Sequence, residues 1–329
     1  MAITTPALLV YGATGYTGRL VAEEAARRGL HVAVAGRDAA KVDALAARLG
    51  VPGRTFALDD PATVRQALRG VRVLLNVAGP FELTAEQLID ACIAEGVHYL
   101  DTTAELATYR LAEGRSAAAT EAGVMLAPGV GWDVVPSDAV AVHAAGRVAR
   151  PVGLRVALKV TGGFSRGSVS SAAGIGDLLG LVRVGGELVR VPEQAPATFD
   201  LGTGPEEFVP VPMGDLVTAW HSVGVGDIEV FMRSDGSIPA PGEDLPEGPT
   251  QAERDAGRYW ALAEVTDADG TVVRSAIETP TGYTYTQLSA VEAARRVLAG
   301  EHPAGFRSPS SAFGPDFATS IADSRITDL

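Results

Sequence analysis

The feature that most constrains this chain lies within its first twenty residues. The apolar run ALLVYG (7–12) ends in glycine and leads straight into Gly12-Ala-Thr-Gly15-Tyr-Thr-Gly18, where a helical stretch over 15–28 begins. A buried parallel strand reads as such a run. Glycines three apart at a strand–helix junction answer three separate demands. Gly12 permits the tight turn, Gly15 lets the backbone approach a pyrophosphate, and Gly18 lets the helix pack on the sheet. The helix N-terminus then faces the anion, with Thr14, Tyr16 and Thr17 able to add side-chain contacts. Glycine spacing alone is a weak signal. Placed after a strand and opening a helix, it points to a dinucleotide.

The pattern continues as strand and helix in alternation. HVAVAG (31–36) is a second apolar strand, and Asp38 is positioned to N-cap a helix through Leu49. RTFALDD (54–60) reads as a third strand, with Pro61 starting a short helix. VRVLLNVAG (71–79) is a fourth strand, stopped by Gly79–Pro80, and a helix over 84–96 leads to a fifth, VHYLD (97–101). A helix over about 105–122 and a strand at 123–128 complete the run. Strict alternation with short links predicts a Rossmann-type doubly wound parallel sheet, an α/β fold. After Pro128 the rhythm changes: a helix over 133–146, a strand GLRVALKV (153–160), and a Gly/Ser-rich stretch (162–176). A Pro-rich acidic loop (238–250), a hairpin at 259–278 turning on Asp269–Gly270, a helix over about 286–299 and an irregular tail follow. The expected division is a dinucleotide-binding domain over 1–130 and a second, mixed α/β domain over 131–329 for substrate and dimer contacts, with the C-terminal segment packing back on the first.

Composition narrows the function. Apolar residues make up 47 % of the 329 and charged residues 20 %, the balance of a globular chain. Lys and Arg total 27 against 40 Asp and Glu, a net charge of −13 that repels phosphate backbones and anionic membranes, so no nucleic-acid partner is expected. The charge is uneven: residues 1–130 hold 12 basic and 14 acidic side chains, so the near-neutral front half is the one suited to hold an anion. A single cysteine, Cys92, excludes an internal disulfide, and the five histidines show no metal spacing, so no metal is expected. No apolar run approaches the roughly 20 residues of a membrane span. The N-terminus lacks a basic signal-peptide region, and the cytoplasm is the expected location.

The second strand ends in Ala35-Gly36-Arg37. Enzymes that use NAD place an acid there for the ribose hydroxyls, whereas an arginine suits the 2′-phosphate of NADP. Arg37, joined by Lys41 one helical turn on, therefore predicts NADP(H). Asp59, read as ending the third strand, is placed to meet the adenine or to serve as a plain turn residue. Asn76, Ala78, Gly79 and Pro80, at the end of the fourth strand, fall where such folds hold the nicotinamide half.

Taken together, GATGYTGRL, the AGR strand end, NVAGPF, CIAEGVHYLDTTAE (92–105) and PGVGWDVVPSD (128–138) resemble the saccharopine dehydrogenase-like oxidoreductases, a group that includes trans-acting enoyl reductases. The resemblance covers the first 140 residues and resumes at SRGSVSSA (165–172), TPTGYTYT (279–286) and GFRSPSSAFGPDF (305–317). It implies an NADP-binding Rossmann domain joined to a mixed α/β domain that often carries the dimer contact. The second domain looks shorter than in the family, so the resemblance does not carry a substrate over.

Rival chemistries fit less well. Gly163-Phe-Ser165-Arg-Gly167 matches the hydrolase pattern GxSxG, but the strand before it lies outside the parallel sheet, and Asp215 and His221 have no framework that would build a triad. Ser165 reads better as a helix-start serine. The residues four before Lys41 and Lys159 are Arg37 and Arg155, so the Tyr-xxx-Lys pair of short-chain dehydrogenases is missing and a proton must come from elsewhere. At the expected mouth stand His98, Tyr99, Asp101, Glu105, Trp132, Asp133 and Ser137. Glu105, Asp133 and Asp101 are the candidate proton donors or substrate-orienting groups, with strand-end capping the structural alternative for Asp101. The expected function is hydride transfer from NADPH to a C=N, C=C or C=O bond of a small molecule held between the domains of a homodimer. A dinucleotide-binding redox sensor without turnover, resembling the NmrA-like proteins, is the alternative.

Overall fold

In a computed structural model, residues 7–172, 176, 178–236, 247–301 and 303–329 are described. The chain divides into two units. The first runs through Thr103 and adds Ala107–Gly131 and Thr286–Arg307; the second comprises Ala104–Leu106, Trp132–Tyr285 and Ser308–Leu329.

The first unit is built on seven strands: β1 (Leu8–Tyr11), β2 (Val32–Gly36), β3 (Gly53–Thr55), β4 (Val73–Asn76), β5 (His98–Asp101), β6 (Met125–Ala127) and the late strand Gly305–Phe306. Their spatial order is β3-β2-β1-β4-β5-β6 with Gly305–Phe306 last, and every pairing is parallel. Strands β1, β2 and β4 are buried along their whole length, which is why they read as unbroken apolar runs. Helices α1 (Tyr16–Arg27), α2 (Ala39–Leu49), α3 (Pro61–Leu68) and α4 (Ala85–Glu95) alternate with them. Asp38 caps α2 through the Lys41 N–H, and Asp60 caps α3 through the N–H groups of Ala62 and Thr63.

Local readings differ from the structure at identifiable points. The third strand stops at Thr55; the Phe56 N–H still donates to the Gly36 carbonyl (3.1 Å), and the Phe56 ring packs on that of Tyr11 (centroids 5.0 Å apart). Residues 57–60 are loop, so Asp59 ends no strand. The single helix expected over 105–122 is two, α5 (Leu106–Gly114) and α6 (Ser116–Glu121), parted next to Gly114, a poor helix former.

In the second unit α7 (Val135–Ala145) precedes a mixed sheet, and α8 (Arg166–Ala172), α9 (Asp215–Ser222) and α10 (Gln251–Ala256) lie between its strands. The strands are β7 (Pro151–Val160), β8 (Leu181–Val184), β9 (Glu187–Arg190), β10 (Ala197–Asp200), β11 (Pro205–Pro210), β12 (Asp227–Ser234), β13 (Arg258–Asp267) and β14 (Val272–Pro280), with the final strand Arg325–Asp328 at one edge. Strands β7 and β12 pair in parallel at its centre and the other pairings are antiparallel, including the expected hairpin β13–β14. Phe199, Phe208, Phe231 and Leu262 pack on one another as an aromatic-rich core, and a ladder of charge crosses the sheet from Arg155 through Glu264 to Arg274 at 2.8 and 2.7 Å. The helix expected from 286 begins four residues earlier: α11 spans Gly282–Leu298. The tail is not irregular, since the helix α12 (Pro309–Phe313) lies there and the two short strands pair into the sheets. Most of the Pro-rich loop expected at 238–250 lies outside the described residues.

Candidate functional site

Strand order reverses between β1 and β4, and in open parallel sheets ligands bind beyond the strand ends at such a point. Here β1 feeds the glycine loop. Gly12 has φ +81°, and a Cβ there would lie 2.8 Å from the backbone of Ala78. At Gly18 a Cβ would sit 2.1 Å from the Gly12 carbonyl oxygen, so both positions exclude any side chain. Gly15 is different: its nearest neighbour would be the Gly12 oxygen at 3.4 Å, and the residue is exposed. Open space therefore lies in front of Gly15, and α1 starts there with no side chain capping its first N–H groups. An anion is what such an end accepts. Thr14, Tyr16 and Thr17 flank it half-buried, and Arg19 braces the loop by donating to the Thr14 carbonyl (3.2 Å). The residues present fit a dinucleotide pyrophosphate.

Arg37 follows β2 exposed, and its charge acts on the buried Tyr11 hydroxyl, whose pKa burial raises. Among the described residues Arg37 has no ion-pair partner. Lys41 lies one turn into α2, exposed, with Nζ 3.7 Å from the Asp38 carboxylate. Because Asp38 is occupied as the cap of α2, the cationic group, not the acid, is the one left for a ligand at this strand end. Asp59 stands exposed beside the capping Asp60.

The β4 end is rigid. Asn76 is fully buried; its amide donates to Thr84 Oγ1 (3.1 Å) and the Tyr99 hydroxyl (3.2 Å), and its oxygen accepts from the Ala78 N–H (3.0 Å). Thr84 in turn donates to the Ala78 carbonyl at 2.8 Å. The Asn76 side chain thus shapes the Ala78–Pro80 turn, whose Gly79–Pro80 peptide is cis. Asp101 is also fully buried. It accepts from the Tyr99 hydroxyl (2.9 Å), the Thr103 N–H (3.0 Å) and the Gly129 N–H (2.8 Å), so it ties the end of β5 to the loop after β6. That geometry is a strand-end cap. Beside it, burial and the Asp101 charge push the Tyr99 hydroxyl well above its ordinary range.

The glycine loop, the Asn76–Pro80 turn, Asp101 and Gly129 therefore gather along one edge of the first sheet. Glu105 and Asp133 do not belong to that unit; both are carried by the second. Asp133 keeps part of its surface in solvent, yet the packing around its carboxyl raises its pKa to about 6. Next to it Trp132 donates Nε1–H to Thr279 Oγ1 (2.8 Å) and stands edge-on to Tyr259 (4.7 Å). Ser165 is a helix-start residue: its Oγ accepts from the Ser168 N–H (3.2 Å), and its own N–H donates to the Tyr283 hydroxyl (2.7 Å).

Sequence reasoning missed a pair of buried acids in the second unit. Asp138 and Asp215 both have raised pKa values through burial, Asp215 to about 7. The hint in the sequence is an acid at the head of each of two apolar helical stretches.

Comparison with known proteins places the first unit. Residues 8–126 match the saccharopine dehydrogenase NADP binding domain. Over 141 residues the chain is 33 % identical to a trans-acting enoyl reductase of Mycobacterium leprae, covering 40 % of this chain and 33 % of that protein. A saccharopine dehydrogenase-like oxidoreductase of Mus musculus is 30 % identical over 151 residues, 40 % of this chain and 35 % of its own length. The chain thus matches about a third of the length of these curated relatives. A saccharopine dehydrogenase (L-Glu forming) from Saccharomyces cerevisiae shares the fold, with TM-score 0.64 at 13 % identity over 98 % of this chain and 99 % of that one. Among the described residues no helix is long and apolar enough to cross a membrane.

Proposed function

We propose that this chain, whose residues 8–126 form an NADP-binding domain of the saccharopine dehydrogenase type, is an NADPH-dependent reductase of a small molecule. The observation that carries the reading is the uncapped start of α1 behind Gly12, Gly15 and Gly18, with Arg37 at the next strand end. The backbone N–H groups from Gly15 onward hold the pyrophosphate, with Thr14, Tyr16 and Thr17 around it. Arg37 and Lys41 hold the 2′-phosphate, Asp59 borders the adenine, and the Ala78–Pro80 backbone, set by Asn76, receives the nicotinamide half. When bound, the cofactor supplies a hydride to a C=N, C=C or C=O bond. The chain supplies position and a proton. Asp133, with a pKa of about 6, is partly protonated near neutral pH and serves as the acid, while Glu105 orients the substrate. Asp101 frames the site through Tyr99 and Gly129. The edges of the second sheet support assembly as a homodimer through that unit, which light scattering at micromolar concentration tests.

The test follows NADPH absorbance with cinnamaldehyde, cyclohexanone and pyrroline as C=C, C=O and C=N probes. Oxidation with at least one, and a loss of roughly 10²- to 10⁴-fold in Asp133→Ala at unchanged cofactor affinity, is the expected result. Tight NADPH binding with no oxidation by any of the three favours a sensor and overturns the reading.

A further inference from the structure

The edge of the first sheet that carries the glycine loop ends, at its far side, on an arginine. The late strand Gly305–Phe306 runs parallel to β6 with Phe306 opposite Leu126, and the Arg307 N–H donates to the Leu126 carbonyl at 2.9 Å. Arg307 is therefore the first residue past that strand, on the same edge as the Asn76–Pro80 turn, Asp101 and Gly129. Its side chain is half-buried, and Nε is closed off from solvent with no hydrogen-bond partner. Among the described residues the guanidinium makes neither a hydrogen bond nor an ion pair. Other arginines of this unit are matched: Arg115 holds Asp90 at 2.8 Å and Glu86 at 3.2 Å, and Arg28 holds Glu292 at 3.1 Å. A guanidinium keeps its charge at any ordinary pH, so a desolvated N–H left unmet is costly and an acceptor laid against it is favoured.

A second unmet group lies at the same edge. Thr108 is 1 % exposed, and its hydroxyl has no partner among the described residues. It sits in the first turn of α5, which starts a few residues past the end of β5. Next to it, the Tyr109 hydroxyl donates to the Thr103 carbonyl (2.7 Å) and fills the space in front of Gly129, where a Cβ would lie 2.0 Å from the hydroxyl oxygen. Gly129 is two residues past Ala127, the residue that Arg307 falls opposite when the β6 ladder is continued by one step. The position rules out the phosphates of a dinucleotide as the acceptor. Strands run in the order β2-β1-β4-β5-β6 and then Gly305–Phe306, about 4.8 Å apart. Arg307 is thus about 19 Å from the end of β1 with its glycine loop, and about 24 Å from the end of β2, which Arg37 follows. In a chain of net charge −13, an unmatched cation at this edge draws anions locally.

We infer that Arg307, with the Thr108 hydroxyl as a second donor, forms an oxyanion site that takes a carboxylate or phosphate group of the substrate. The planar guanidinium offers parallel N–H donors, the shape that both groups accept. Three strand spacings, about 14 Å, part Arg307 from the end of β4. The substrate therefore carries its anionic group well away from the bond that is reduced, with a chain or ring between them. A small uncharged aldehyde, ketone or imine reaches only one of the two ends. That the anion belongs to the substrate rests on the reductase reading; that the site binds an oxyanion does not.

The test is an NMR titration of the isotope-labelled full chain, without cofactor, that follows the Arg307 Nε–H cross-peak, identified by its loss in Arg307→Lys. Glutarate and inorganic phosphate are added separately, at an ionic strength fixed with chloride. The cross-peak is expected to shift and saturate at millimolar concentration with at least one of them; glutarate alone assigns a carboxylate, phosphate alone a phosphate group. A cross-peak that neither anion moves beyond the chloride control overturns the site. Thr108→Val should weaken the same titration a few-fold, and an unchanged midpoint overturns the part given to that hydroxyl. Kinetics then compare the reduction probe that is turned over with its carboxylate-bearing analogue, for cinnamaldehyde the 4-carboxy compound. The wild type should show a KM lower by roughly 10-fold or more for the carboxylate at similar kcat, and Arg307→Met should erase that difference. Equal KM values in the wild type overturn the substrate role. Should Arg307→Met fail to fold, Arg307→Lys, which keeps the charge and loses the fork, should retain only part of the preference. A shifted cross-peak with no NADPH oxidation by any of the three reduction probes strikes the reductase reading and leaves the site standing, so the two failures are distinguishable.

Discussion

Replacing Asp215 by Asn should stabilise the second unit above neutral pH, by an amount the burial of this group fixes. The carboxyl is raised from an ordinary 3.8 to about 7. Below the unfolded value both states carry the proton and Asp215 adds no pH dependence. Between the two values the unfolded chain ionises while the folded chain does not, so stability falls as pH rises. Above about 7 the loss is complete, and three units at 1.36 kcal/mol each make it about 4 kcal/mol. Asparagine does not titrate and has nearly the same shape. Asp215→Asn should therefore resemble the wild type at pH 4 and exceed it by up to about 4 kcal/mol at pH 8, a large share of a typical domain's 5–15 kcal/mol. The assay is urea unfolding followed by tryptophan fluorescence, which reports this unit alone: all three tryptophans, Trp132, Trp220 and Trp260, lie in it. A gap between the two proteins that does not widen from pH 4 to pH 8, or a variant weaker at pH 8, would refute the reasoning.

Three further outcomes follow from the first sheet and the helix starts. Gly18→Ala should abolish NADPH binding measured by calorimetry, because its methyl would sit 2.1 Å from the Gly12 carbonyl oxygen; retained micromolar affinity would contradict the loop geometry. Asn76→Leu strands the Ala78 N–H, at about 1–3 kcal/mol for a donor left unpaired, and removes the amide that bonds Thr84 and Tyr99, which keep their bonds to Ala78 and Asp101. It should lower the thermal midpoint and weaken NADPH binding together, and unchanged affinity would show that the Ala78–Pro80 turn does not hold the cofactor. Ser165→Ala should leave reductase turnover within a few-fold and the wild type unlabelled by a fluorophosphonate; labelling at Ser165 with loss of turnover would revive the hydrolase chemistry.

The legibility of this molecule tracks the range of its interactions. The glycine loop is readable because steric exclusion at Gly12 and Gly18 is local and permits one residue type. The parallel sheet is readable because strands buried on both faces must be apolar throughout. Asn76 and Asp101 are polar residues at strand ends, the pattern of a ligand contact. Only the fold reveals that their side chains are spent on Tyr99, Thr84, Ala78, Thr103 and Gly129. RTFALDD has the pattern of one strand, yet the pairing with β2 ends near Gly36 and residues 57–60 are loop, a limit set by the neighbouring strand and not by the local pattern. Thr-Pro-Thr-Gly has the composition of a turn and hides the start of α11, since Pro280 closes β14 and the helix begins at Gly282. Asp138 and Asp215 are hidden for the same reason: an aspartate at a helix start is ordinary, and its burial near another acid is a property of the packed unit alone.

The central claim is that the first unit takes NADP(H) through Arg37. The direct measurement is the Kd of NADPH and of NADH for the wild type and for Arg37→Ala. A charge-assisted contact contributes about 1.5–3 kcal/mol, so the wild type should prefer NADPH by roughly 10- to 150-fold. Arg37→Ala should remove most of that preference while leaving NADH affinity unchanged. Equal affinities for the two cofactors in the wild type would contradict the account.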